Sequence, residues 1–207
     1  MTLAGSKPPG DTPLLQMRGI CKRYPGVVAL DDVRFELRRS EVHVLLGENG
    51  AGKSTLMKIL SGACPRDAGE ILLDGTPVAL ASPREAQAAG ISTIYQEFTL
   101  VPHLSAAANI YLGHEPVRAA GVIDRRRLIA DAERLLTALG VSIDPAAPVR
   151  SLGVAEQQMV EVAKALSIDA RILVMDEPTS ALTEAEIEQL FAAIRRLTAQ
   201  GVAVIYM

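Results

Sequence analysis

Gly47-Glu48-Asn49-Gly50-Ala51-Gly52-Lys53-Ser54-Thr55 follows the apolar run Val42-His43-Val44-Leu45-Leu46 and leads into Leu56-Met57-Lys58-Ile59-Leu60. A strand that runs into a glycine-rich turn, which then opens a helix, is the setting the pattern G-x-x-x-x-G-K-[ST] requires. Glycines let the backbone close around phosphate oxygens where a β-carbon would clash. Successive N–H groups and the positive helix N-terminus then hold the anion. Gly47, Asn49, Gly50, Ala51, Gly52 and Thr55 form the expected cradle, with Lys53 reaching the β- and γ-phosphates and the Ser54 hydroxyl on Mg²⁺. The motif implies binding of a nucleoside triphosphate.

The 207 residues suit one large domain, or a core with an inserted lobe, and can bury a sizeable interior. A formal net charge of −3 gives no basic bias, so no nucleic-acid partner is expected. The run Arg125-Arg126-Arg127 opens an amphipathic helix and reads as a solvated face, with no interleaved aromatics for stacking on bases. Cys21 and Cys64 stand far apart in no metal-ligand spacing, as free thiols do in a reducing compartment. No apolar run approaches the roughly eighteen residues of a membrane span, and the opening residues lack a secretory apolar stretch. A cytoplasmic protein with only peripheral membrane contact is expected.

Residues 1–13 hold Pro8, Pro9, Gly10 and Pro13 and read as a flexible tail, with a single domain over 14–207. Two short strands are expected at 27–30 and 33–37 after the turn Tyr24-Pro25-Gly26, and another at 41–46. Ser82-Pro83-Arg84-Glu85 and Thr183-Glu184-Ala185-Glu186 have the form of capping boxes. From Glu97 to about Ser167 the texture is helical. There Leu128, Ile129, Ala132, Leu135, Leu136 and Leu139 make one apolar face that Gly140 closes. A later helix presents Ile187, Leu190, Phe191, Ile194 and Leu197, and residues 202–207 begin one more strand. An apolar strand is an unusual natural terminus, so the chain is expected to be a truncated piece. The pattern predicts an α/β core with a mostly parallel sheet (14–96 and 168–207), an antiparallel N-terminal addition and a helical insertion (97–167).

The apolar run Ile172-Leu173-Val174-Met175 ends in Asp176-Glu177. Adjacent carboxylates are ordinarily a solvated strand end. Beside a phosphate loop they make the second half of an NTPase, one acid holding Mg²⁺ and its neighbour polarising a water for attack on the γ-phosphate.

Together these residues resemble the ATP-binding cassette (ABC) ATPases that drive membrane transporters, a branch of the P-loop NTPases. Residues 47–55 are similar to the family's Walker A motif and 172–177 to Walker B, which makes Asp176 the Mg²⁺ residue and Glu177 the catalytic base. The resemblance places Gln96 at the Q-loop glutamine that senses Mg²⁺-nucleotide and faces the membrane partner. It places Tyr24 at the aromatic that stacks on adenine, and residues 178–183 at the D-loop. Two departures stand out. Where the family reads L-S-G-G-Q, this chain reads Leu152-Gly153-Val154-Ala155-Glu156. Gly153 lacks the hydroxyl that would touch nucleotide on the opposite cassette, and Ala155 replaces a glycine. No residue fills the family's switch histidine, and His43, His103 and His114 are expected to be structural or solvated.

Finer texture, such as Tyr95-Gln96-Glu97, Asn109-Ile110-Tyr111-Leu112-Gly113 and Gln157-Gln158-Met159-Val160-Glu161, resembles the monosaccharide-importer branch (ribose, galactose and xylose type). That branch usually carries two cassettes in tandem, and this chain matches the first. The resemblance implies ATP and Mg²⁺ as cofactors, and a second cassette, an integral membrane permease and, indirectly, a sugar-binding protein as partners. It implies a place on the cytoplasmic face of the inner membrane. Two other readings remain: a nucleotide-binding module with little hydrolysis, and a soluble ABC ATPase acting on ribosomes or DNA. A basic face or coiled-coil insertion would mark the latter, and neither is visible.

Overall fold

Alternating apolar residues from Leu14 onward build one long hairpin. In the computed structural model, which describes residues 12–48, 50–179 and 182–207, β1 (Leu15–Tyr24) pairs antiparallel with β2 (Val27–Leu37). The two strands expected at 27–30 and 33–37 are thus one. Register shifts along β1 and a left-handed Asp32 (φ 47) absorb the irregularity without ending the pairing. β4 (Ala68–Leu73) and β5 (Thr76–Pro77) complete this sheet in the order β2-β1-β4-β5. Of the expected tail, residues 1–11 lie outside the described residues, and Pro13 is buried.

The second sheet is wholly parallel: β3 (Val42–Val44), β8 (Ala203–Tyr206), β7 (Ile172–Met175) and β6 (Ile91–Ile94), in that spatial order. β3 is shorter than expected, and Leu46 is 85% exposed. Strands β7 and β8 are buried on both faces, so they read as continuous apolar runs rather than alternating ones. Ile172, Val174, Ala203 and Ile205 face α1 (Lys53–Leu60) and the antiparallel sheet. Leu173, Met175 and Val204 face the helices.

The helical part comprises α3 (Ala106–Ile110), α4 (Arg125–Leu139) and α5 (Val154–Leu166); α2 (Pro83–Ala88) precedes β6, and α6 (Glu184–Ala199) links β7 to β8. α4 buries Leu128, Ala132, Leu136 and Leu139, whereas Ile129 is 39% exposed and Leu135 only half-buried. The apolar face is therefore narrower than the sequence suggested. α6 departs likewise: Leu190, Ala193, Ile194 and Leu197 are buried, while Phe191 is 40% exposed and leans on the Tyr206 ring at 5.9 Å. Residues 125–127 are solvated, as expected.

The expected capping box at α2 is half made, and the one at α6 is present. Ser82 Oγ accepts the Glu85 N–H at 3.3 Å, but the Glu85 carboxylate accepts from Ala81 N–H. At α6, Thr183 N–H and hydroxyl both donate to Glu186 at 2.8 Å. Among the described residues no helix is long and apolar enough to cross a membrane.

Gly140 ends α4 in the left-handed region (φ 77), its N–H bonded to Thr137 O at 2.9 Å. A β-carbon there would overlap the Arg196 guanidinium, which donates to Leu139 O at 2.5 Å. Gly140→Ala should cost about 1–3 kcal/mol. Gly201 shares the positive φ but has open space around it, so Gly201→Ala should cost less. Urea midpoints of the two variants, at unchanged slope, check the ordering.

Candidate nucleotide site

The loop that leaves β3 bends back twice through the left-handed region, at Gly50 (φ 86) and Gly52 (φ 84). A β-carbon on Gly52 would lie 2.6 Å from Ala29 O and 2.8 Å from Leu30 Cδ2, so the loop packs directly on β2 and only glycine fits. Leu56 N–H then bonds Gly52 O at 2.9 Å and α1 begins. Lys53 folds over the loop, its ammonium donating to Gly47 O (2.6 Å) and Glu48 O (3.0 Å). Ala51 N–H closes the turn on Glu48 O at 3.2 Å. Asn49 lies outside the described residues.

The opposite wall comes from the end of β7. Asp176 N–H bonds Ile94 O at 3.0 Å, and Glu177 N–H bonds Met207 O at 3.2 Å. Glu177 adopts φ 45, a conformation that costs a non-glycine residue about 1–3 kcal/mol. This sharp turn lifts its side chain out of the sheet, where it is exposed. Burial first, and the neighbouring Glu177 charge second, push the Asp176 carboxyl above the usual range, while Lys58 and Lys53 pull it back in part.

These two walls enclose a cleft of about 340 Å³ to which residues 50–55, Asp176 and Glu177 all contribute. Tyr24 forms its rim, with the ring 42% exposed, its hydroxyl 3.4 Å from Cys64 Sγ and Lys22 Nζ 5.5 Å from the ring centroid. Val27, Ala29 and Met207 also line it. Sequence reasoning missed these three. The first two were findable only from the pairing of Tyr24 with Val27, and Met207 only from the strand order.

The expected site residues thus divide. The structure brings together Tyr24, Gly50, Ala51, Gly52, Lys53, Ser54, Thr55, Asp176 and Glu177. Gly47 joins through its carbonyl. Gln96 is exposed just beyond β6 and does not line the cleft. Gly153, Ala155 and Glu156 sit at the start of α5. Ala155 and Glu156 line a separate cleft shared with α4 and α6. Glu156 caps its own helix there, accepting the Gly153 N–H at 2.8 Å. In the D-loop, Thr179 Oγ1 lies 3.0 Å from the Tyr206 hydroxyl, and Ser180 and Ala181 fall outside the described residues. His43 packs edge-on against Phe35 at 4.8 Å, His114 Nε2 lies 2.8 Å from Ser167 Oγ, and neither lines the cleft.

Among the described residues, no three His, Cys, Asp or Glu groups converge to hold a metal unaided. Ser54 and Asp176 in one cleft nonetheless suit Mg²⁺, which binds through one or two protein oxygens plus substrate phosphates and water. Burial, and then the neighbouring Glu177 charge, raise the Asp176 carboxyl, and a bound cation would offset both.

Residues 30–180 match the model of the ABC transporter family. A ribose import ATP-binding protein of Rubrobacter xylanophilus is 62% identical over 195 residues, which is 94% of this chain and 39% of that protein. Its counterpart in Streptomyces coelicolor is 58% identical, over 94% of this chain and 37% of its own length. A putative ribose/galactose/methyl galactoside import ATP-binding protein of Burkholderia cenocepacia is also 58% identical, over 94% and 38% respectively. The chain spans less than two fifths of the length of these relatives. Among solved structures, an ATP-binding cassette of an ABC transporter in its ADP conformation superposes with a TM-score of 0.81 at 22% identity, covering 94% of this chain and 80% of that one. A nucleotide-free cassette gives 0.80 at the same identity and coverage. Similarity at that level speaks for the fold, the family match speaks for descent, and on both this chain belongs to the ABC transporter family as an ATP-binding domain.

Proposed function

We propose that this chain binds ATP with Mg²⁺ and hydrolyses it as one cassette of a motor that energises import of a monosaccharide through a membrane permease. The observation that carries this reading is the joining of phosphate loop, paired acids and aromatic rim in one cleft. The similarity to ribose and ribose/galactose/methyl galactoside import proteins supports the sugar and the direction. The motor's other parts are a second cassette and an integral permease, with a sugar-binding protein beyond it. The chain works on the cytoplasmic face of the inner membrane.

In this reading adenine stacks on Tyr24 beside Val27 and Ala29. Lys53 turns from the loop carbonyls to the β- and γ-phosphates, and the amides of residues 50–55 hold the remaining phosphate oxygens. Ser54 and Asp176 hold Mg²⁺, which neutralises phosphate charge. Glu177 orients the attacking water and takes its proton as the γ-phosphoryl passes to that water, leaving ADP and phosphate. Gln96 reaches the nucleotide when the segment after β6 swings inward. Gly153, Ala155 and Glu156 face nucleotide held by the other cassette.

A specific observation favours a second reading. The Glu156 carboxylate already occupies the α5 N-terminus through the Gly153 N–H, so a phosphate approaching that end meets negative charge. A binding module with slow turnover would result.

Mg-ATPase rate against protein concentration, beside measured nucleotide affinity, separates the two. A rate per molecule that rises with concentration supports paired cassettes, and tight binding without turnover supports the module. Lys53→Ala should lose binding. Glu177→Gln should keep nucleotide affinity within about twofold while turnover falls at least about a hundredfold; normal hydrolysis by that variant would remove Glu177 as base.

Asp176 supplies a pH test. Its raised carboxyl takes up a proton before an unfolded aspartate would, so Mg²⁺-dependent binding should weaken through a midpoint above the usual aspartate range. Glu177→Gln deletes one cause and should lower that midpoint, with burial keeping it above the usual range. For stability the sign is the reverse of a salt-bridged acid. Ionised Asp176 costs folding free energy in full above its folded pKa; the cost fades as pH falls through that value and is gone below the unfolded one. Asp176→Asn should therefore unfold at higher urea at neutral pH while losing Mg²⁺ binding.

A further inference from the structure

Behind the rim of the cleft stands a lysine that the mechanism above leaves unused. Lys22 is 8% exposed, and a lysine is seldom buried this far without a partner. Its ammonium donates to Asp67 at 2.9 Å and lies over the Tyr24 ring, 5.5 Å from the centroid. Two residues apart on β1, Lys22 and Tyr24 share one face of the strand. Tyr24 lines the cleft and Lys22 does not. The ammonium therefore backs the ring and leaves the cleft side to a ligand.

The ion pair is not needed to hold the chain at this corner. Asp67 N–H bonds Cys21 O at 2.9 Å, and the Asp67 carboxylate accepts the Arg23 N–H at 2.7 Å. Backbone groups on both sides of Lys22 thus already tie β1 to the segment before β4. What Lys22 adds is a cation at a fixed place. The ring is also held at its edge. Its hydroxyl lies 3.4 Å from Cys64 Sγ, and Cys64 N–H bonds Lys58 O at 3.1 Å, on the helix that the phosphate loop opens. A cation within about 6 Å of an aromatic face is attracted by the ring's electrons. It steadies the ring, and it draws electron density from the opposite face, which then attracts an electron-rich base more strongly.

We infer that Lys22, fixed by Asp67, sets the grip of the Tyr24 ring on the nucleotide base, and that this grip favours the larger π-face of a purine over a pyrimidine. This rests on adenine stacking on Tyr24, as proposed above. Lys22 is a positioning residue: it acts on the base through Tyr24.

Equilibrium binding of Mg-ATP, Mg-CTP and Mg-tripolyphosphate to the Glu177→Gln protein tests this without turnover, since tripolyphosphate has no base. Lys22→Met should weaken ATP about fivefold and CTP by less, and leave tripolyphosphate unchanged. Lys22→Arg, which keeps a cation that can lie on the ring, should restore ATP. Added to Tyr24→Leu, Lys22→Met should weaken ATP no further. Equal weakening of all three ligands by Lys22→Met would reduce Lys22 to plain charge attraction and overturn the inference. So would ATP affinity that falls in Tyr24→Leu but stays put in Lys22→Met. ATP affinity unmoved by Tyr24→Leu would overturn the stacking reading and the inference with it. If Lys22→Met fails to fold, Asp67→Asn decides, because it keeps an acceptor for the Arg23 N–H and frees the ammonium. It should weaken ATP and spare tripolyphosphate; unchanged ATP binding there overturns the role of Lys22.

Discussion

Strand β8 lies between β3 and β7, and the geometry of the cleft follows from that interposition. The strand that feeds the phosphate loop and the strand that ends in the two acids are separated by two sheet spacings, about 10 Å. Had they been neighbours, the acids would crowd the loop; with one strand between them, a cleft of about 340 Å³ opens. Backbone hydrogen bonds hold the spacer at its open end: Leu45 N–H to Tyr206 O (2.8 Å), Met207 N–H to Met175 O (3.0 Å) and Glu177 N–H to Met207 O (3.2 Å). Ala203, Val204 and Ile205 have no exposed surface, so burial on both faces locks β8 in place. Because all four strands run parallel, β3, β6 and β7 deliver the loop, Gln96 and the acids to the same edge.

The antiparallel sheet completes the site. β2 presents the Ala29 carbonyl so close to Gly52 that the phosphate loop is moulded onto it. The β1–β2 turn puts Tyr24 and Val27 opposite each other at the rim. Beneath them α1 buries Leu56, Met57, Ile59 and Leu60 among residues of both sheets, so loop and rim share one rigid support. Such preorganisation matters where catalysis is chiefly positioning and charge neutralisation.

Features encoded within a few residues were legible in the sequence: the loop, the acid pair, the glycine stops and the change from mixed to helical texture. What escaped depends on long-range pairing. Ile129 and Phe191 lie on the expected helical stripes, yet the partners of α4 and α6 cover narrower faces than a hydrophobic pattern implies. The half-made capping box at α2 shows the same limit, since the Glu85 carboxylate takes the Ala81 N–H rather than that of Ser82. Glu156 was read by its place in a motif, whereas its carboxylate binds its own helix terminus. Val27, Ala29 and Met207 entered the site through strand neighbours that no local pattern announces.

The acids of this chain separate function from structure by the direction in which their surroundings push them. Asp124 caps α4 and pairs with Arg118, which holds its carboxyl down at about 2. Asp67 beside Lys22, Asp74 beside Arg171 and Glu186 at the Thr183 N–H are likewise lowered. Each has a protein partner that makes ionisation comfortable. Among the described acids with a displaced carboxyl, Asp176 alone is pushed up. Burial raises it first and the adjacent Glu177 carboxylate second, and Glu177 is a residue whose backbone is itself strained. A fold selected for stability alone would neutralise that corner. One that keeps two acids facing a lysine and a hydroxyl across an open cleft has left room for a ligand that carries the missing positive charge.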